Sequence, residues 1–112
     1  MPLTLLLRCS DPARTKAFYG QLPGFMVQAS AEDTLTVQGH GVTLVFTPQD
    51  LWKSPPAFSG TLYITVMDVD ACYAAMKDLA PVAWPLQAMP HGSREFALTD
   101  CDGYLLAFQQ QV

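Results

Sequence analysis

Apolar positions along this chain come in short runs, separated by polar breaks that carry Pro or Gly. Leu3–Cys9 is one such run, closed by Ser10-Asp11-Pro12, and predicts a buried strand. Asp11-Pro12 predicts a helix start. The carboxylate can accept from the free N–H groups of the first turn, and Pro in the first helical position gives up no bond. The helix is expected to turn Ala17, Phe18 and Leu22 inward and to stop at Pro23-Gly24. Phe25–Ala29, Thr34–Gln38 and Val42–Thr47 follow as strands, with Gly39-His40-Gly41 turning between the last two.

Pro48–Gly60 contains three prolines together with Trp52 and Phe58, and reads as a linker. Thr61–Met67 then alternates, with Leu62, Ile64 and Val66 on one face and Thr61, Tyr63 and Thr65 on the other. Asp68 or Asp70 caps a second helix, whose stripe is Val69, Cys72, Tyr73, Met76 and Leu79 and whose stop is Pro81. Val82–Gln87 is a weak edge strand, because Pro85 cannot donate to a ladder. Arg94–Gln109 closes the chain as a hairpin turned at Asp102-Gly103, where Gly takes positive φ at little cost. In its second arm Tyr104, Leu106 and Phe108 form a core face, and Leu105, Ala107 and Gln109 form the other.

Each half therefore reads strand, helix, strand, strand, strand. The halves also superpose: Thr4 matches Thr61 and Asp11 matches Asp68 at one spacing, and Gly41 matches Gly103 at a slightly longer one. The expected organisation is α+β, with one module at about residues 1–47, a linker at about 48–60 and a second module at about 61–112.

Composition narrows the partners. The chain has 112 residues, half of them apolar, so one domain with a substantial core is expected. Its net charge is −4 with six Lys plus Arg and no basic cluster, which argues against nucleic acid. No run is long enough to span a bilayer, and Met1–Leu7 is too short for a signal peptide. The three cysteines, Cys9, Cys72 and Cys101, show no metal-binding spacing and read as reduced thiols in a cytoplasmic protein. His40 and His91 fall in loops and carry no evident role.

Two stretches carry a family resemblance. Asp11-Pro-Ala-Arg-Thr-Lys-Ala-Phe-Tyr, followed by Leu22-Pro-Gly-Phe, resembles the first strand–helix segment of the vicinal oxygen chelate superfamily. That group includes glyoxalase I, extradiol dioxygenases, fosfomycin-modifying enzymes and bleomycin-resistance proteins. Arg94-Glu-Phe and Asp100-Cys-Asp-Gly-Tyr are similar to its Arg-Glu-Phe…Asp-Pro-Asp-Gly-Asn ending, with Cys101 and Tyr104 as departures. The resemblance spans both halves. It implies tandem βαβββ modules forming a curved, partly closed mixed sheet around a cavity, with the helices outside, and a habit of pairing as homodimers.

In the metal-using members, the resemblance implies, ligands come from the first and last strand of each module. Carried over by register, those places are Thr4, Val45, Thr61 and Ala107. A hydroxyl is a poor donor to a divalent metal, and Val and Ala offer none. A slip of one residue exchanges faces but brings only apolar neighbours, among them Leu3, Leu5, Leu44, Phe46, Leu62, Leu106 and Phe108. No metal and no cofactor is therefore expected.

Alternation places Leu6, Arg8, Thr43, Val45 and Thr47 on the cavity wall of the first module, and Tyr63, Leu105 and Ala107 on that of the second. Thr4, Thr61, Thr65 and Gln109 share those faces. An apolar, hydroxyl-bearing lining of this kind suits a small-molecule pocket. Arg8 and Arg94 either hold an anionic group of the ligand or pair with acidic neighbours, Asp11 or Asp68 in the case of Arg8. Trp52, Phe58 and Trp84 border the pocket; each Trp either stacks on a planar ligand or plugs the linker or a subunit interface. Tyr63 bonds either a ligand or a backbone carbonyl. Glu95 is the strand carboxylate beside the site, and its facing is left open.

The functional expectation is a metal-independent protein of the bleomycin-resistance type. It would bind and sequester an antibiotic or aromatic metabolite, cationic or aromatic, as a homodimer. No nucleophile–base arrangement can be placed, so catalysis is not favoured. The alternative is a metal-independent isomerase or lyase on the same fold, using Glu95, Tyr63 or Arg8.

Overall fold

The computed structural model describes residues 3–90 and 92–111, so His91 lies outside the described residues. The chain divides into two compact units, Met1–Ala57 and Phe58–Val112. The boundary falls in a stretch of bends between the last strand of the first unit and the first strand of the second.

The N-terminal unit runs β1 (Thr4–Arg8), α1 (Pro12–Gln21), β2 (Met26–Ala29), a 3-10 turn at Ala31–Asp33, β3 (Leu35–Gly39) and β4 (Val42–Thr47). Its sheet has the order β1-β4-β3-β2. β1 lies parallel to β4, and the other neighbours are antiparallel. Asp11 caps α1, its Oδ1 accepting from Ala13 N at 3.0 Å, with Pro12 in the first turn. The face that α1 buries is Thr15, Phe18, Tyr19 and Leu22, the i, i+3, i+4, i+7 stripe of a helix. Ala17, expected to point inward, is exposed because it lies off that stripe. Tyr19 takes the central place, its ring 5.0 Å from Phe18 and 5.2 Å from Phe46 on β4.

The C-terminal unit repeats this plan with β5 (Thr61–Thr65), α2 (Val69–Met76), β6 (Val82–Ala88), β7 (Ser93–Thr99) and β8 (Leu105–Gln111). The sheet order is β5-β8-β7-β6, with β5 parallel to β8. Each unit is therefore a βαβββ module carrying its helix against one sheet face. Asp68, not Asp70, is the cap, accepting from Ala71 N at 3.1 Å. α2 ends at Met76, before the expected stop at Pro81, and a bond from Leu79 N to Met76 O closes the turn beyond it. Pro85 does sit in an edge strand, and the β6–β7 register is irregular on either side of Trp84.

The hairpin differs from a simple tight turn. β7 and β8 are joined by residues 100–104, held by the buried Asp100. Its Oδ1 accepts from the N–H groups of Asp102 and Tyr104, each at 2.9 Å. Gly103 takes φ +90, which suits a residue without a Cβ. The core face is as expected: Tyr104, Leu106 and Phe108 are buried, and Phe108 stacks on Phe96 at 5.2 Å.

Candidate functional site

In the C-terminal unit the helix-covered face of the sheet is apolar. Leu62 and Ile64 on β5, Phe96 and Leu98 on β7, and Leu106 and Phe108 on β8 are all buried there. Strand alternation sends the intervening residues to the opposite, open face. In-register pairing then aligns one row across all four strands: Tyr63 opposite Ala107, Ala107 opposite Ala97, and Ala97 opposite Trp84. An aromatic residue stands at each end, with two alanines between them.

Glu95 lies two residues before Ala97 on β7, and hence on the same open face, opposite Gln109. The phenol of Tyr63 donates to its Oε2 at 3.3 Å, and Trp84 Nε1 donates to the same oxygen at 3.0 Å. Glu95 is 2% exposed, whereas Tyr63 is 51% exposed. The carboxylate is thus buried beneath side chains that themselves meet solvent. Small residues in the middle of the row leave the rings room to lean inward toward it. Burial, the Glu95 charge and the bond to Glu95 together push the Tyr63 hydroxyl above the usual tyrosine range. Gln109 Nε2 extends the polar edge of this face by donating to Thr65 Oγ1 at 3.3 Å.

Arg94 is not part of this surface. It faces the helix side, where its Nη2 bonds Asp70 Oδ1 at 2.8 Å in the first turn of α2. The two carboxylates offered as caps therefore divide their roles, Asp68 holding the helix start and Asp70 holding Arg94. Leu105 is half-buried and Ala107 fully buried on the open face. Phe58 is exposed, with its ring against Gly60.

In the N-terminal unit Leu6, Arg8, Thr43, Val45 and Thr47 share the face opposite α1. Arg8 meets an acidic neighbour in Asp50. Its Nη1 stands 3.7 Å from Asp50 Oδ1 and donates to the Ser54 carbonyl, tying the strand end to the segment that follows β4. Asp50 Oδ1 also accepts from Ser54 N at 2.9 Å, so one carboxylate organises that loop. Thr47 is buried, its Oγ1 accepting from Gln49 N at 3.1 Å. Trp52 is exposed on the same loop. A separate cavity of about 470 Å³ in this unit is lined by Pro12, Ser30, Asp33, Thr34, Leu35 and Pro48 among others, and contains none of the sequence-predicted site residues.

The family model for the Glyoxalase/Bleomycin resistance protein/Dioxygenase superfamily matches residues 3–108. The chain belongs to this superfamily. Among solved structures, a superfamily member from Sphaerobacter thermophilus is similar with a TM-score of 0.83 at 18% identity, covering 99% of this chain and 97% of that one. A glyoxalase/bleomycin resistance protein/dioxygenase from Alicyclobacillus acidocaldarius gives 0.79 at 22% identity, covering 99% and 91%. TioX from Micromonospora sp. ML1 gives 0.75 at 19%, covering 98% and 95%. At such identities these are likenesses of fold. No curated protein matches the chain in sequence.

Superfamily membership raises the question of a metal. The four places implied for ligands hold Thr4, Val45, Thr61 and Ala107, and their cross-strand partners are Thr43, Leu6, Leu105 and Tyr63. Hydroxyls and alkyl groups do not fit a divalent ion. Among the described residues no three of His, Cys, Asp and Glu gather into a cluster. Glu95 is the carboxylate on the open face of β7, and it is held by aromatic donors rather than by other ligand types.

Alternation alone leaves the facing of Glu95 open. Phe96 and Leu98 settle it once β7 is paired with β8, because they stand opposite Phe108 and Leu106 in the core. The sequence signal was the match between those two apolar pairs. No helix among the described residues is long and apolar enough to cross a membrane.

Proposed function

We propose that this superfamily member is a metal-independent small-molecule-binding protein of the bleomycin-resistance type, which sequesters an antibiotic or aromatic metabolite. The observation that carries this reading is the surface built by Tyr63, Trp84 and Glu95. Two aromatic side chains, each with one polar atom committed to Glu95, leave ring faces for stacking, and a stacked pair contributes about 0.5–1.5 kcal/mol beyond burial. The surrounding Thr61, Thr65, Leu105 and Ala107 supply the mixed hydroxyl and apolar wall suited to a ligand. The N-terminal face, with Leu6, Thr43 and Val45, is of similar chemistry. Cys9, Cys72 and Cys101 are in no disulfide among the described residues, which supports a cytoplasmic location, and the active form is proposed to be a homodimer.

The test is titration of the intact protein with glycopeptide, quinone and peptide antibiotics, read by tryptophan fluorescence. Saturable quenching or enhancement is expected with at least one class; silence across all three overturns the reading. Elemental analysis of protein purified without chelators checks metal independence, which stoichiometric zinc, iron or manganese overturns.

The Tyr63–Glu95 bond also favours a second reading, a metal-independent isomerase or lyase in which that pair moves a proton. Turnover of a bound compound, lost in Glu95→Gln while binding is retained, selects this reading over sequestration.

A further inference from the structure

Both donors that reach Glu95 are neutral. The ion pairs found among the described residues, Arg8–Asp50 and Arg94–Asp70, lie elsewhere. The Lys and Arg side chains of the C-terminal unit are Lys77 and Arg94. Lys77 stands over the ring of Tyr73 on α2, 6.0 Å from its centroid, and Arg94 is held by Asp70, so both serve the helix side of the sheet. Carboxylates as buried as Glu95 are seldom left without a paired charge. A carboxylate has acceptor directions on two oxygens, and here both donors converge on Oε2.

The flanking rings favour the same kind of guest. The faces of Trp and Tyr carry negative quadrupole density and attract cations, Trp most strongly. An anion arriving at this face would meet a carboxylate and two ring faces with no Lys or Arg of this unit beside it. A neutral ligand would stack but leave the carboxylate uncompensated.

We propose that the Tyr63–Trp84–Glu95 surface takes a protonated amine or amidinium borne on a planar frame, with the charge set against Glu95 and the plane against the rings. This rests on the binding reading above and adds the charge class of the ligand to it. Glu95 would supply a charge-assisted hydrogen bond, stronger than a neutral one.

Three acridines of nearly equal shape test it by calorimetric titration of the intact protein at neutral pH: cationic 9-aminoacridine, neutral acridine and anionic acridine-9-carboxylate. The cation is expected to bind about tenfold or more tightly than acridine, the advantage of one charge-assisted contact, and the anion weakest. In Glu95→Gln the preference should collapse to within about twofold, the loss expected when that contact becomes neutral. Asp70→Asn removes a carboxylate on the other face and should leave the preference intact; an equal loss there means diffuse attraction to an acidic chain and overturns the proposal. Should Glu95→Gln fail to fold, the ranking of the three probes on the unaltered protein still decides. Equal binding of cation and neutral probe, or preference for the anion, overturns the charge assignment and leaves the binding reading standing. Failure of all three while an antibiotic of the earlier panel binds also overturns the charge assignment alone. Failure of every compound overturns both.

Discussion

Tyr63 and Glu95 meet across an intervening strand: the phenol on β5 donates to Oε2 on β7 at 3.3 Å, with β8 running between them. Next-but-one strands lie about 10 Å apart, so both side chains must reach inward over whatever β8 presents. Opposite Tyr63, β8 presents Ala107, fully buried and without bulk to obstruct the phenol. A position that the resemblance implies for a metal ligand in other members is here the gap that lets a phenol reach a carboxylate.

Filling that gap should therefore break the contact. Ala107→Leu is expected to destabilise the protein by about 1–3 kcal/mol through overpacking, measured by urea denaturation. The same variant should bring Tyr63 ionisation back toward the ordinary tyrosine range, because the phenol is displaced from Glu95. An unchanged titration would mean that Ala107 does not govern the contact.

The Tyr63 hydroxyl carries a pH signature. Its acidity is weakened first by burial, then by the Glu95 charge and by its bond to Glu95. The folded protein thus keeps the proton to higher pH than the unfolded chain does. The resulting stabilisation is present below the ordinary tyrosine pKa and is lost as pH rises through the folded value. Phenolate absorbance should show Tyr63 titrating late, and Glu95→Gln should lower its midpoint by removing the charge while leaving the burial.

Tyr63 and Trp84 share one acceptor oxygen, so their contributions should not add. Tyr63→Phe and Trp84→Phe each keep a ring and delete a donor, and each is expected to cost about 0.5–1.5 kcal/mol. The double variant should depart from the sum of the singles by about 0.5 kcal/mol or more in a thermodynamic cycle. Strict additivity would show that the two donors do not act on a common group.

Two aspartates on the same module offer a contrast in burial. Asp100 is 5% exposed and accepts from two backbone N–H groups in the β7–β8 turn. Asp100→Ala should cost about 1–3 kcal/mol by leaving buried donors unmet. Asp70 bonds Arg94 at 2.8 Å with both side chains substantially exposed, and Asp70→Asn should cost less than about 1 kcal/mol. Chemical denaturation of the two variants side by side checks the order; a larger loss at Asp70 would reverse it.

Local chemistry in the chain was sufficient to specify the modules. Asp11-Pro12 starts one helix and Asp68 the other, and the alternation of Leu62, Ile64, Leu106 and Phe108 marks the faces that pack beneath α2. Such signals are readable because caps and strand alternation depend on neighbours within a few residues. Local pattern does not suffice where a longer-range partner decides. Ala17 looked as suitable for burial as Phe18, but packing against the sheet selected the Thr15–Tyr19 side of the helix. The Asp100 carboxylate holds the β7–β8 turn through N–H groups that only the folded turn brings to it. The partners of Arg8 and Arg94 turned on which face and which loop each strand end meets, and no spacing along the chain encodes that. The same holds for the row from Tyr63 to Trp84, whose members come from four strands. Residue type and local order determined the strands; only the registers of β5 with β8, β8 with β7 and β7 with β6 brought two aromatic donors to one carboxylate oxygen, because hydrogen-bonded pairing between distant segments is a property of the folded sheet.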